Sequence, residues 1–128
     1  MKKALLVDTN FAAAPIQCAL QNAGYQVFTV GARERDPLAI ASDNYFKVDY
    51  SDADALEALT SDLGVDVLVP GCNDLSYLMC SNVAQRLALP GLEPPEVVVA
   101  LHSKKLFRDL CFSLSIPAPR RYDTFPDA

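Results

Sequence analysis

The sequence is poor in metal ligands and lacks the usual nucleotide-binding loops. It has one histidine, His102, and its four cysteines, at 18, 72, 80 and 111, form no CxxC pair. A structural zinc site needs closely spaced Cys and His ligands, so none is expected, and free thiols are the default. A nucleophilic Cys72 would have only His102 as its base, which argues against that role. Residues 8–15, after the first apolar run, contain no glycine, and no Walker A loop occurs anywhere. GxGxxG-type dinucleotide binding and P-loop chemistry are therefore not expected. No apolar run approaches the ~18 to 20 residues of a membrane helix. The opening MKKALLVDTN is broken by Asp8 too soon for a signal peptide. Repeats and low-complexity tracts are missing as well. These absences lead to the expectation of a cytoplasmic protein that engages no membrane.

The 128 residues, 51% apolar, suffice for one domain with a real core. The net charge of −5 is unevenly spread: residues 1–100 carry −7 and residues 101–128 carry +2. An acidic body argues against nucleic-acid binding. The basic stretch at the end is either a solvated helix face or a place for a phosphate.

Apolar runs and helical stripes alternate along the chain. Residues 3–7, 25–30, 45–48 and 65–69 read as short buried strands. Between them, Ile16, Ala19, Leu20 and Ala23 mark one helix, entered through Pro15 and stopped by Gly24. Residues 31–44 read as irregular. Ser51 reads as the cap of a helix through Leu56, Leu59 and Leu63 that ends at Gly64. Asn73 or Asp74 caps another, with Leu75, Leu78, Met79, Val83 and Leu87 as its stripe. Strands joined through helices predict an α/β fold: a Rossmann-like three-layer α/β/α domain with a mainly parallel sheet. Its ligand crevice should lie at the C-terminal strand ends, formed by residues 8–15, 31–36, 49–52 and 70–75. Beyond Pro90-Gly91, a short helix from Pro94-Pro95 to Leu101 and a second over Ser103–Leu114 are expected. The second should present Leu106, Phe107, Leu110 and Leu114 on one face. Residues 116–119 should be extended, and residues 120–124 could begin a strand. That strand has nothing to pair with, so the sequence reads as cut at this point, and the segment from 103 onward is expected to pack loosely. A phosphoacceptor receiver domain fits poorly, because the strong strand 65–69 runs into Pro70 and one acid alone ends the first strand.

The order of four segments carries a resemblance. The chain reads AGYQV at 23–27, SDNYFKVDYSD at 42–52, DVLVPGCND at 66–74 and SKKLFRDLCFSLSIPAPR at 103–120. Taken in this order and spacing, they resemble the N-terminal region of ATP-grasp ligases, the superfamily of carbamoyl-phosphate synthase, biotin carboxylase and D-alanine–D-alanine ligase. The resemblance spans essentially the whole chain. Ser103 stands where that family often has an acid, and Ser115 where its GIP turn has glycine.

The resemblance implies a pre-ATP-grasp domain over residues 1–92, followed over 93–128 by a helical linker and the start of a nucleotide-binding domain. It further implies ATP-dependent joining of small-molecule carboxylate and amine substrates through an acyl-phosphate, with ATP and Mg2+ as cofactors and most of that site beyond residue 128. The 128 residues alone are then expected to be inactive. Lys104 aligns with the family lysine that reaches nucleotide phosphates. Asp74 aligns with an acid at the substrate crevice, and Asn10 and Arg33 are candidate substrate-binding residues in the crevice loops. Each has a plainer role available: an exposed lysine beside Lys105 and Arg108, a helix cap, and ordinary loop polar groups. His102 reads as a helix-junction residue. A homodimer is compatible with this reading. The alternative function is a stand-alone Rossmann-like module that binds or senses a small ligand without catalysis.

Overall fold

The computed structural model describes residues 1–120 and Tyr122. Its centre is a four-stranded, all-parallel sheet in the order β3-β2-β1-β4, formed by β1 (Lys3–Val7), β2 (Gln26–Gly31), β3 (Tyr45–Lys47) and β4 (Val67–Pro70). The expected parallel sheet is thus present. β1 pairs with β2 from Lys3↔Gln26 to Val7↔Val30, and on its other side with β4 from Ala4↔Val67 to Val7↔Pro70. A central parallel strand is covered on both faces, so it must be apolar throughout. Ala4, Leu5, Leu6 and Val7 are all fully buried.

The strand alternation splits the core into two layers. Leu5, Val7, Phe28, Val30 and Leu68 face one way, against Leu56 of α3 (Ala53–Leu63) and Cys80, Val83 and Ala84 of α4 (Asp74–Arg86). Leu6 and Val27 face the other way, with Ala13 and with Leu38 of α2 (Pro37–Ala41); Ile16 and Leu20 of α1 (Ala14–Asn22) pack against them. Helices therefore cover both faces, the three-layer arrangement expected. Burial of α1 is shallow: no residue of it is fully enclosed.

Three details differ from the sequence reading. Residues 31–44 are not wholly irregular, since Pro37 starts α2 and buries Leu38 and Ala39. Five residues are too few to show helical periodicity, but proline at a first helical turn fits the fixed φ. Asp52, not Ser51, caps α3: its Oδ1 accepts from the amides of Asp54 at 3.0 Å and Ala55 at 3.1 Å. The Ser51 amide is already used by Asp49 Oδ1, at 3.0 Å. β4 begins two residues later than expected and includes Pro70. Asp66 precedes it and clasps Lys3 instead, accepting the Lys3 amide on Oδ2 at 2.7 Å and donating its own amide to Lys3 O at 2.9 Å. Proline is tolerated in β4 because the strand lies at the sheet edge.

After α4 the chain adds α5 (Pro95–His102), packed on α4, and α6 (Lys104–Ser113), packed on α5. Val98 and Cys111 are the buried residues of this pair. Leu106, Phe107, Leu110 and Leu114 share a face as expected, yet all four stay exposed, as do Phe112 and Ile116. Residues 116–119 have no regular structure. Of residues 120–124, where a strand could begin, Arg120 and Tyr122 have no regular structure, and 121, 123 and 124 lie outside the described residues, as do 125–128. Among the described residues no helix is long and apolar enough to cross a membrane.

Core and periphery should separate in unfolding experiments. Leu56→Ala removes a fully buried side chain beneath the sheet and is expected to cost about 2–5 kcal/mol. Phe112→Ala, at a side chain 88% exposed, should stay within about 0.5 kcal/mol. Urea midpoints of the two variants against the parent measure the difference; equal losses would contradict this core.

Candidate functional site

The strand order runs from β1 outward to β3 on one side, and β4 then joins the other side of β1. Loops leaving β1 and β4 diverge there, and a parallel sheet opens a crevice at that point. A crevice of about 430 Å³ occupies this position, at the C-terminal strand ends. All four loops foreseen from the sequence contribute to it: Asp8, Thr9 and Asn10 after β1, Arg33 and Asp36 after β2, Asp49 and Tyr50 after β3, and Cys72, Asn73 and Leu75 after β4.

Two glycines make room for the floor. Gly31 ends β2 and Gly71 follows β4, so they flank the end of β1 on either side. A Cβ on Gly71 would overlap Asp8 Cβ and stand 2.7 Å from its Oδ2. A Cβ on Gly31 would overlap Thr9 Oγ1 and stand 2.9 Å from its Cγ2. Asp8 and Thr9 thereby occupy space that side chains on the neighbouring strands would fill. Both are almost completely buried, and Asp8 has a φ of +148°, a region L-residues rarely adopt.

Hydrogen bonds fix the floor. Asp8 Oδ1 accepts the Asn10 amide at 3.1 Å, and Oδ2 accepts Asn73 Nδ2 at 3.0 Å. Asn73 Nδ2 also reaches the Tyr50 hydroxyl at 3.3 Å, while its Oδ1 caps α4 by accepting the Ser76 amide at 2.8 Å. Thr9 donates to Asp36 Oδ2 at 2.8 Å, leaving that carboxylate no cap bond to α2. Burial pushes the Tyr50 phenol up against the lowering pull of the Asn73 amide, and the charges of Asp8, Asp36 and Asp49 push it up further. Tyr50 is therefore a neutral hydroxyl at physiological pH. The Ser51 hydroxyl and amide hold Asp49 below the usual carboxylate range, so it is ionised there. Cys72 is an exposed thiol that donates to Ala12 O at 3.3 Å.

The candidates from the sequence fall in three places. Asn10 and Arg33 line the crevice. The Asn10 side-chain carbonyl caps the short 3-10 turn Phe11–Ala13 by accepting the Ala12 amide at 3.2 Å, and its side-chain nitrogen forms no hydrogen bond among the described residues. Arg33 is exposed at the lip. Asp74 does not line the crevice. It is the first residue of α4, capped by Asn73, and borders a shallow hollow with Val98, Val99 and His102. Its Oδ1 lies 3.3 Å from His102 Nδ1, without hydrogen-bond geometry. His102, the last residue of α5, also packs its ring 5.1 Å from that of Tyr77, as befits a helix junction. Lys104 opens α6 under the Ser103 cap, is exposed, and borders neither space. Asp8, Thr9, Asp36, Tyr50 and Asn73 were not singled out from the sequence. The available signal was glycine at two strand ends flanking a polar DTN.

The glycine requirement at 71 is testable. Gly71→Ala should cost about 1–3 kcal/mol through the collision with Asp8. It should also displace the backbone amide signals of Asn10 and Asn73. A variant within about 0.5 kcal/mol of the parent, with those signals unmoved, would refute the cradle.

No family model and no curated protein matches the chain. Solved structures do. Phosphoribosylglycinamide synthetase from Anaerococcus prevotii matches with a TM-score of 0.75 and 17% identity, over 89% of this chain and 29% of that one. The biotin carboxylase domain of a single-chain bacterial carboxylase gives 0.71 and 21%, over 97% and 31%. An N5-carboxyaminoimidazole synthetase from Staphylococcus aureus, solved with ADP, gives 0.71 and 15%, over 89% and 30%. The chain spans about a third of the length of these proteins. They are ATP-grasp ligases, and this chain shares the fold of the part of them that it matches.

Proposed function

We propose that the chain is the substrate-side, N-terminal domain of an ATP-dependent ligase that joins a carboxylate to an amine through an acyl-phosphate. The observation that carries the reading is the crevice where the parallel sheet reverses its order, followed by a helix pair that leads away with Lys104 at its turn. Residues 1–92 would hold the substrate, and residues 93–128 would lead into the nucleotide-binding half.

In such a ligase, ATP supplies the phosphoryl group that activates the carboxylate, with ADP leaving. The amine nitrogen then attacks the acyl carbon, phosphate departs, and the nitrogen loses a proton. This chain's residues would bind and orient substrate through Asn10, Arg33, Tyr50 and Asn73 in the crevice; Asp74, which faces His102 outside it, takes no part. Lys104 fits a nucleotide phosphate in one respect: it is exposed and forms no hydrogen bond or ion pair with the described residues. Phosphoryl transfer also needs Mg2+. Among the described residues no group of three His, Cys, Asp or Glu could hold a metal ion, so they do not fit this role and no step here passes through it.

The reading is tested on Lys104 in the ligase that carries this domain. Lys104→Ala should raise the apparent KM for ATP or lower kcat, with the fold intact. Loss of one charge-assisted phosphate contact is worth roughly 1.5–3 kcal/mol, about 10- to 150-fold. Lys105→Ala should change far less, because successive helical residues point about 100° apart. Equal, small effects from both substitutions would return Lys104 to an ordinary solvated helix face.

A further inference from the structure

The joint between the sheet domain and the α5–α6 pair holds an unsatisfied polar atom. Among the described residues two buried side-chain atoms lack a hydrogen bond, Thr29 Oγ1 and His102 Nδ1. Native folds keep few such atoms, because a buried polar group without a partner is costly. His102 Nδ1 has a carboxylate beside it: Asp74 Oδ1 lies 3.3 Å away, without the geometry of a bond. Asp74 is the first residue of α4, next to Asn73, whose side chain holds Asp8 and Tyr50 of the crevice floor. His102 is the last residue of α5, two positions before Lys104 opens α6. Their contact therefore spans the joint. That joint encloses few side chains, since Val98 and Cys111 are the buried residues of the α5–α6 pair.

Charged and titratable groups stand around the imidazole. On α4 these are Asp74 and the Tyr77 phenol, whose ring centroid is 5.1 Å from that of His102. Tyr77 donates to Glu93 Oε2 at 2.7 Å, in the segment before α5. The Tyr77 hydroxyl holds the Glu93 carboxyl below its usual range, a backbone bond adds to this, and the charge of His102 adds a smaller pull. Glu96 lies at the far end of α5, and α6 carries Lys104, Lys105, Arg108 and Asp109. At the C-terminal end of a helix the backbone dipole also favours a cation. Histidine is the side chain that ordinarily changes charge between pH 5 and 8. A neutral ring can leave Nδ1 bare, with its lone pair toward a carboxylate, whereas the imidazolium carries a proton on both nitrogens. Proton uptake thus converts an unmet contact into a charge-assisted bond.

We propose that Asp74 and His102 form a proton-operated clasp between α4 and α5, closed by the imidazolium and loosened when the ring is neutral. It sets how firmly the α5–α6 pair, with Lys104, is tied to the sheet domain, and it operates whatever the crevice binds. The sign follows from linkage. The docked pair, with Asp74 at hand, binds the proton more tightly than the undocked pair does. Docking therefore strengthens as pH falls through the histidine range and weakens as pH rises through it. The Asp74 side chain is 84% exposed, so water screens the clasp and its effect is modest.

Amide hydrogen exchange of the 15N-labelled chain tests the clasp. Protection factors, corrected for the intrinsic pH dependence of exchange, are compared at pH 5.5 and 7.5 for the amides of α5 and α6. In the parent they should be about two- to fivefold higher at pH 5.5. His102 is the sole histidine of the chain, so His102→Gln should abolish the difference. Asp74→Asn, at an exposed side chain, should abolish it as well, and Asp74→Glu should restore part of it. Equal protection at the two pH values in the parent would overturn the clasp. A difference that persists in folded Asp74→Asn would overturn the pairing with Asp74, and one that persists in folded His102→Gln would overturn the role of the imidazole.

Discussion

The Asn73 side chain joins three parts of the molecule. Its nitrogen donates to Asp8 at the end of the central strand and to Tyr50 after β3, and its oxygen caps α4 through Ser76. Each bond alone is modest, on the order of 1 kcal/mol net. Together they fix the loops of three strands relative to one another, which defines the crevice. The same residue explains why Asp8 tolerates burial. With the amide of Asn10 it supplies the polar contacts that an isolated carboxylate would otherwise lack.

The crevice depends in turn on the two glycines beside β1. Fully apolar strands generate a tight sheet and a dry core, but they do not by themselves leave space at the strand ends. Gly31 and Gly71 remove the side chains that would close over Thr9 and Asp8. The result is a polar floor of nearly buried groups set directly on an apolar core. A non-glycine residue at φ +148° sits at the point where this floor begins, in keeping with strain that collects at binding sites.

The α5–α6 pair follows a different logic. It is attached through Val98 and Cys111 and through polar links such as the Tyr77 hydroxyl donating to Glu93 Oε2 at 2.7 Å. Its leucines and phenylalanines remain exposed. Basic charge gathers here, at Lys104, Lys105 and Arg108.

The sequence alone determined the layered architecture. Short apolar runs such as ALLV and VLV have no polar face, so they must be strands covered on both sides, and the helical stripes between them require parallel crossovers. It also located the loops of the crevice and its two candidates Asn10 and Arg33, because ligand loops follow the C-terminal strand ends. The short α2 was not legible, since five residues carry no period. Asn73 was legible as one of two possible caps of α4, but its contacts with Asp8 and Tyr50 were not: residues 8, 50 and 73 meet only once the strand order is set, and nothing local in the chain marks their contact. Asp74 shows the same limit from the other side. Adjacent to Asn73 in sequence, it begins a helix, and the 100° turn per residue sends it toward His102 and away from the crevice. Local pattern therefore fixed which segments form the site, and tertiary packing chose which side chains face into it.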